Sequence, residues 1–348
     1  TPTHLYAVSG GFTDCPARPS CASSIATDKP HALAPLRVVA GPAWTCITDT
    51  AGHTECVGQS GRSEIAGLSA VACTRDRCCV AAQGGVRCWP AERAWLPAST
   101  QELQPLPAVS IGAAVRAVAP SGAGGCAVTD GGRVVCWDSG GSQRSPRLRG
   151  GVSALGASPG HVCALERGGA VLCWGENRGR FGDGGVADAP YPVPALLPHA
   201  VGLSVGEHSC AVDESGGVWC WGQNHRGQLG RGWTSAPAFE ATPGRAELPV
   251  AAREVTVGRD FTCALDARGD VYCWGANDNG RCGVTRPRVV TAPRRVTHLD
   301  NARGVSAGWT HACAWNATEV VCWGERHGAP MERVQWLSDA PTLHLEPP

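Results

Sequence analysis

The sequence predicts an all-β repeat protein, a propeller or a solenoid, on three observations. A pair of cysteines nine or ten residues apart recurs seven times along the 348 residues. Within the clearest pairs, apolar side chains alternate with period two on both sides of a glycine-containing turn, the pattern of a hairpin. The pairs follow one another at about 33 to 53 residues, a period at which propellers and solenoids repeat.

The clearest copy is Val205–Gly230, with two cysteines, a Gly-Gly turn, a Trp-Gly pair and an Asn-x-x-Gly-x-Leu-Gly tail. Cys263–Cys273, Cys163–Cys173 and Cys313–Cys322 repeat it, and weaker copies lie at Cys126–Cys136, Cys79–Cys88 and Cys46–Cys56. In the hairpin around Asp266–Asp270, Gly269 can take the positive φ that a tight turn needs. If Leu265 faces Val271, then Cys263 faces Cys273 on the same side of the ribbon. Directly opposed Cα atoms of a non-hydrogen-bonded pair lie about 4.5 Å apart, within disulfide range. A cross-strand disulfide is therefore expected in each hairpin. In the chain-entropy model each such short loop contributes up to about 3 kcal/mol. Isolated hairpins are marginal in water, so they must pack into something larger.

Residues 1–35 are not a repeat but an N-terminal extension, with one strand expected over His4–Ser9 and a local bridge between Cys15 and Cys21. The repeats occupy 36–348 as a single domain, and Leu36–Ala40 opens the first. Cys73 and Cys78 flank Thr-Arg-Asp-Arg and are expected to form a local bridge. That leaves Cys79 for Cys88, although the adjacent Cys78 and Cys79 could exchange roles. From residue 139 onward each Trp-Gly is followed by a polar loop, a proline and a strand. Segment 331–346 carries two strand patterns without a hairpin of its own. Because a propeller must pair or cover its sheet edges, 331–346 is expected to complete the first blade.

Composition bounds the function. Thirty basic residues balance thirty acidic ones, so no nucleic acid or other polyelectrolyte is implied as partner. Only Lys29 among the basic residues is lysine, which points to a GC-rich, bacterial source and rules out a P-loop. Nineteen cysteines, mostly paired at fixed spacing and without Cys-x-x-Cys knuckles, indicate an oxidising compartment rather than zinc. No run of about 18 apolar residues could span a membrane. Extracellular, cell-surface or periplasmic placement is expected, with Thr1 following a removed signal peptide.

The pattern Gly-x-x-His-[Ser/Thr]-x-Ala-Leu, a Gly turn, then Val-x-x-Trp-Gly-x-Asn-x-x-Gly-Gln-Leu-Gly resembles the regulator of chromosome condensation repeat. His208, Ala211, Trp221, Asn224, Gly227 and Gly230 carry the best match. The likeness is good over 155–324 and degenerate before it: Val57 stands where Trp is expected, and neither Trp89 nor Trp137 precedes Gly. The resemblance implies a seven-bladed β-propeller, here with cross-strand disulfides in the blade hairpins. The paired cysteines are similar to those of secreted bacterial members. The exchange-factor role of the nuclear founder is not expected in a neutral, disulfide-rich chain.

Several motifs look chemical. Gly-x-Ser-x-Gly occurs at 156–160, 202–206 and 304–308, all read as lying at one phase of the repeat, which makes them a by-product of it rather than hydrolase elbows. His161, His208 and His311 each precede a cysteine by two residues, yet each cysteine has a mate, so these histidines are read as buried and hydrogen-bonded. Cys282 is left over by counting and stands where Leu229 stands in the best copy. It is read as a small buried hydrophobe, with an intermolecular bridge as the alternative. Asn277-Asp278-Asn279 lacks the register of a calcium loop. No cofactor, metal or catalytic residue is expected.

The functional expectation is a secreted or surface-attached, non-catalytic protein-binding module. A structural subunit of an extracellular assembly, or a lectin stacking carbohydrate on loop tryptophans, is the alternative. The connectors after Trp174, Trp221 and Trp274 should project on one side of the ring. They carry Trp233, Phe239, Arg226, Arg231 and Tyr191 as candidate binding residues, because exposed aromatics and Arg dominate protein interfaces.

Overall fold

The computed structural model describes residues 35–41, 44–49, 54–58, 61–65, 68–74, 76–82, 85–90, 108–236, 239–297, 300–317, 319–324 and 332–335. Seven antiparallel four-stranded sheets account for nearly all of them. Each sheet is built from four consecutive strands, so each blade is one uninterrupted stretch of chain. The blades span 35–65, 68–110, 115–144, 152–194, 200–245, 252–296 and 304–335. First strands of successive blades touch one another from blade 2 through blade 7, and blade 7 touches blade 1 in the same way. The first strands therefore line the axis, and the fourth strands form the outer wall. The only helix among the described residues is a single 3-10 turn, Asp278–Gly280.

Apolar residues on both faces of each second strand explain why blades stack. His161–Glu166, His208–Asp213 and Phe261–Asp266 are buried along their whole length. The core is accordingly a set of wedges between neighbouring blades rather than one central mass. One wedge joins Cys46, Cys56, Val71 and Trp89 of blades 1 and 2. Another joins Val38 and Ile47 of blade 1 to Cys313, Trp315 and Val320 of blade 7.

The hairpins have the expected register. Leu265 pairs with Val271 and Cys263 with Cys273. Gly269 sits at φ 88° in the turn, where a Cβ would meet the Asn301 backbone at 2.6 Å. All seven blades carry a disulfide between second and third strands, with Cα atoms 3.9 to 4.1 Å apart. Cys73 bridges Cys78, which settles the choice between adjacent cysteines in favour of Cys79–Cys88. Cys15 and Cys21, with the rest of the N-terminal extension up to residue 34, lie outside the described residues.

Two expectations need correction. Glu332–Gln335 pairs with Glu319–Cys322 and forms the outer strand of the last blade, not part of the first. The first blade needs no help, because Gly61–Ile65 already supplies its fourth strand. Closure is instead made by side chains across the blade 7–blade 1 wedge. Ser306 Oγ accepts from the Ala40 N–H at 3.0 Å, and His311 Nε2 meets Thr45 Oγ1 at 2.9 Å. Ser204 Oγ accepts from Val257 N–H and Thr256 Oγ1 from Ala307 N–H at the same 3.0 Å, so the closing junction is built like internal ones. The three Gly-x-Ser-x-Gly segments are also not in phase. Ser204 and Ser306 pair with Cys210 and Cys313, but in blade 4 it is Gly156 that pairs with Cys163, and Ser158 pairs with His161.

Candidate binding face

In an antiparallel blade the first-to-second turn and the third-to-fourth loop leave the same end. One face of the ring therefore carries both sets, and the repeat residues Asn, Gly and Leu lie in the longer loops. Asn224 is fully buried and frames its loop: Oδ1 accepts from Leu229 N–H at 3.1 Å, and Nδ2 donates to the Trp233 carbonyl and to Ser235 Oγ. Asn277 does the same for Cys282 N–H and the Val284 and Pro287 carbonyls. Asn277 thus frames its loop. Asn177 accepts from Arg180 and Phe181 N–H.

Each loop then reaches under the next blade. Trp221, Trp274 and Trp323 donate their indole N–H to the carbonyls of Arg180, Gln228 and Arg281 in the loop of the preceding blade, at 2.8 to 3.0 Å. The residues following those carbonyls, Phe181, Leu229 and Cys282, are fully buried. Trp221, Trp274 and Trp323 therefore serve blade packing. Cys282 is a buried free thiol whose Sγ lies 3.4 Å from the Ala276 carbonyl; burial pushes its pKa up.

The buried histidines sit beside these plugs. His208 Nε2 is 2.7 Å from Thr262 Oγ1 of the next blade, and that hydroxyl donates to the Gln228 carbonyl. A hydroxyl has one hydrogen, so His208 must donate through Nε2. Burial, and then the charge of His225, holds its pKa down at about 3. His161 is held at about 3 by burial and by Arg180, and contacts Ser158 Oγ through Nδ1 at 2.9 Å. Both imidazoles are sealed from solvent. Blade 6 has Phe261 at this position and blade 7 has Ala312 where blade 6 has Thr262, so an apolar pair replaces the polar one.

Of the candidate binding residues, Trp233 is 52% exposed and Tyr191 is 77% exposed, both on the third-to-fourth side of their blades. Phe239 is 36% exposed, and a Cβ on Gly179 of the blade 4 loop would meet its ring at 2.7 Å, so the loops of blades 4 and 5 abut there. The two arginines have internal duties that spacing did not reveal. Arg226 pairs with Asp278 of the next loop at 3.2 Å. Arg231 Nη2 donates to the Cys220 and Thr242 carbonyls, bridging third and fourth strands where their register slips. The mouth of the central channel is lined by first-to-second turns around a cavity of ≈ 110 Å³. Its charged lining groups are paired: Glu207 with Arg180, and Arg259 with Asp260 and over the Trp309 ring at 5.0 Å.

The feature that sequence reasoning missed lies between blades 3 and 4. There the third-to-fourth connection is only a short turn, with Gly141 N–H and Ser142 carbonyl tied back to Asp138. A cavity of ≈ 370 Å³ opens beside it, over Trp174. The available signal was an omission: Asp138–Ser142 lacks the Asn-x-x-Gly-x-Leu that follows the later Trp-Gly pairs in blades 4 to 6 closely or loosely. Among the described residues no group of three or more potential metal ligands occurs, and no helix is long and apolar enough to cross a membrane.

Fold and loop geometry together define a seven-bladed β-propeller held by buried tryptophan and histidine contacts between blades, with buried asparagines framing the loops. Residues 215–265 and 268–315 match the regulator of chromosome condensation (RCC1) repeat, and a second description of that repeat matches 252–281. The last three blades of the ring are thus similar to that repeat over 215–315, less than a third of the chain. Solved structures with the same fold include Prp20p of Saccharomyces cerevisiae, at 16% identity and TM-score 0.62 over 78% of this chain and 80% of that one. Human WBSCR16 is similar at 16% identity and TM-score 0.65, over 79% and 84%. The ectodomain of the Physcomitrella patens receptor kinase CR4 is similar at 17% identity and TM-score 0.52, over 82% and 72%. At these identities the likeness concerns the fold. A curated relative, BTB/POZ domain-containing protein 1 of Schizosaccharomyces pombe, is 26% identical over 83 residues, which is 22% of this chain and 6% of that protein.

Proposed function

We propose that the protein is a secreted or surface-attached, non-catalytic module that presents the loop face of its propeller to a protein partner. The observation that carries this reading is Trp233, a large aromatic left half-exposed on a loop whose backbone is fixed by the buried Asn224. A rigid ring displaying a variable loop is a scaffold for recognition, and an exposed aromatic on a pre-ordered loop loses little entropy on binding. Val186 and Tyr191 add exposed apolar surface on the neighbouring blade. A protein partner is also in keeping with Prp20p, whose solved structure was described with its binding to Gsp1p and histones. The oxidising compartment is supported by the eight cysteine pairs placed within bonding distance.

The test is capture of a partner from the native source with the oxidised protein, followed by affinity measurement with Trp233→Ala. Binding should weaken about tenfold or more, the scale of a hot-spot truncation, with an unchanged melting temperature. A stable variant that keeps full affinity would remove this loop from the site.

A further inference from the structure

The three junctions from blade 4 to blade 7 follow one rule. A loop from the earlier blade lays an apolar side chain (Phe181, Leu229 or Cys282) against the later blade, and the carbonyl just before it receives the indole N–H of Trp221, Trp274 or Trp323. A ring side chain on the earlier blade, His161, His208 or Phe261, packs beside the plug; the His161 and Phe181 ring centroids are 6.5 Å apart.

At the junction of blades 3 and 4 both fillers are missing. Gly124 occupies the ring position, pairing in register one residue before Gly125 and Trp137. The plug loop is replaced by the Asp138–Ser142 turn, closed on itself by Asp138 Oδ1 bonds to Gly140 and Ser142 N–H. Trp174 is nonetheless in place, in the wedge with Val128, Val134 and Val162, as its counterparts are in theirs. What remains is the ≈ 370 Å³ cavity, floored by Trp174, Val162 and the Cys126–Cys136 bridge and rimmed by Ser142, Gln143 and Arg144. That volume lies in the range of about 300–1,000 Å³ typical of ligand clefts. Trp174 has no counterpart of the indole-to-carbonyl bond among the described residues, so a hydrogen-bond donor stands beside the apolar floor of a slot whose rim is polar.

We propose that this slot is a docking site for a turn of a partner protein that supplies what the short loop lacks: a Leu- or Phe-sized side chain preceded by a carbonyl that accepts from Trp174 Nε1. The molecule itself specifies the occupant, because it builds the same contact three times from its own chain. The site rests on the reading of the protein as a binding module but uses blades 3 and 4, away from Trp233. Burying one such side chain and satisfying one indole N–H gives selectivity for the anchor residue. It also places the incoming turn on the face that carries the exposed loops.

The probe is a blocked synthetic peptide of residues 224–231, the chain's own plug, titrated into the intact oxidised protein and followed by the ¹⁵N-indole resonance of Trp174, assigned by its loss in Trp174→Phe. The expected result is saturable binding with a dissociation constant up to about 1 mM, as befits a short flexible ligand, with a shift of that resonance. Replacing the peptide's Leu by Ser should weaken binding about tenfold. Ser142→Trp, at an exposed rim position, should block it without touching the core. No saturation, equal binding of the Leu and Ser peptides, or a Trp174 N–H already protected from solvent exchange in the free protein would overturn the proposal. Failure of the peptide with continued capture of a partner through Trp233 would leave the binding-module reading intact; loss of the Trp233 effect with specific peptide binding would do the reverse.

Discussion

Thr262→Val is the sharpest probe of how the blades are held together. Valine keeps the shape of threonine and removes the one hydroxyl that sits between His208 Nε2, at 2.7 Å, and the Gln228 carbonyl, at 2.8 Å. The carbonyl keeps a partner, since Trp274 Nε1 also donates to it at 2.9 Å. The imidazole N–H does not, because His208 is fully buried and its Nδ1 already has no partner. A buried orphaned donor costs about 1–3 kcal/mol, to which the net loss of a hydrogen bond adds about 1. A total of about 2–4 kcal/mol is expected. At about 2.1 cal/mol/K per residue, 348 residues give an unfolding entropy of about 0.7 kcal/mol/K, so Tm should drop by about 3–5 °C. The neighbouring junction shows how the loss is avoided, with Phe261 and Ala312 in the equivalent places and Cys282 in place of Leu229. His208→Phe with Thr262→Ala and Leu229→Cys should therefore recover most of the loss, with a coupling of at least about 1 kcal/mol relative to the summed single changes. Scanning calorimetry of the oxidised proteins measures both. A single variant costing under about 0.5 kcal/mol, or strict additivity in the triple, would refute the reasoning.

Other outcomes follow from the same contacts. Ser306→Ala and Ser204→Ala should cost the same, about 1–2 kcal/mol each, because the closing and internal junctions share one bond; chemical denaturation that separates them by more than about 1 kcal/mol would show that closure is special. Burial depresses the His161 and His208 pKa values from 6.5 to about 3, so their contribution to stability is full above pH 6.5 and is lost as pH falls toward 3. Glu254 acts the other way: burial raises it from 4.5 to about 7, so its contribution is full below pH 4.5 and is lost as pH rises to about 7, and Glu254→Gln should flatten that limb of a Tm-versus-pH curve. Cys282 should resist maleimide labelling in the native protein and react on unfolding, since it is buried and its pKa is raised; rapid native labelling would show the loop to be open.

Most of the hairpin was legible in the sequence because it is local. Cys263 and Cys273 are ten residues apart, and period-two alternation fixes which side chains oppose each other. The buried roles of His208, Trp221 and Cys282 were also readable, since one repeat can be laid over another. What joins the blades was not. Thr262 lies 54 residues from His208, and nothing in either stretch marks the other as partner. Arg226 and Arg231 looked like surface cations until their partners, Asp278 and the strand carbonyls, came into reach. The closing strand is not legible because edge protection does not by itself say which blade a strand joins, and Gly61–Ile65 already covers the first blade's edge. The slot over Trp174 is an absence, visible in the sequence only once the loops that fill its counterparts are known.

Each blade being one uninterrupted stretch has a consequence for biosynthesis. No blade waits for a strand from the far end of the chain, so every sheet and its bridge can be completed in the order in which the residues emerge. Six wedges can form one after another as translation or export proceeds. Only the seventh, where His311 meets Thr45 across 266 residues, must wait for the final blade. A nascent chain halted before residue 304 would thus be an open arc with two bare faces, the state most exposed to proteases and to association with its own kind.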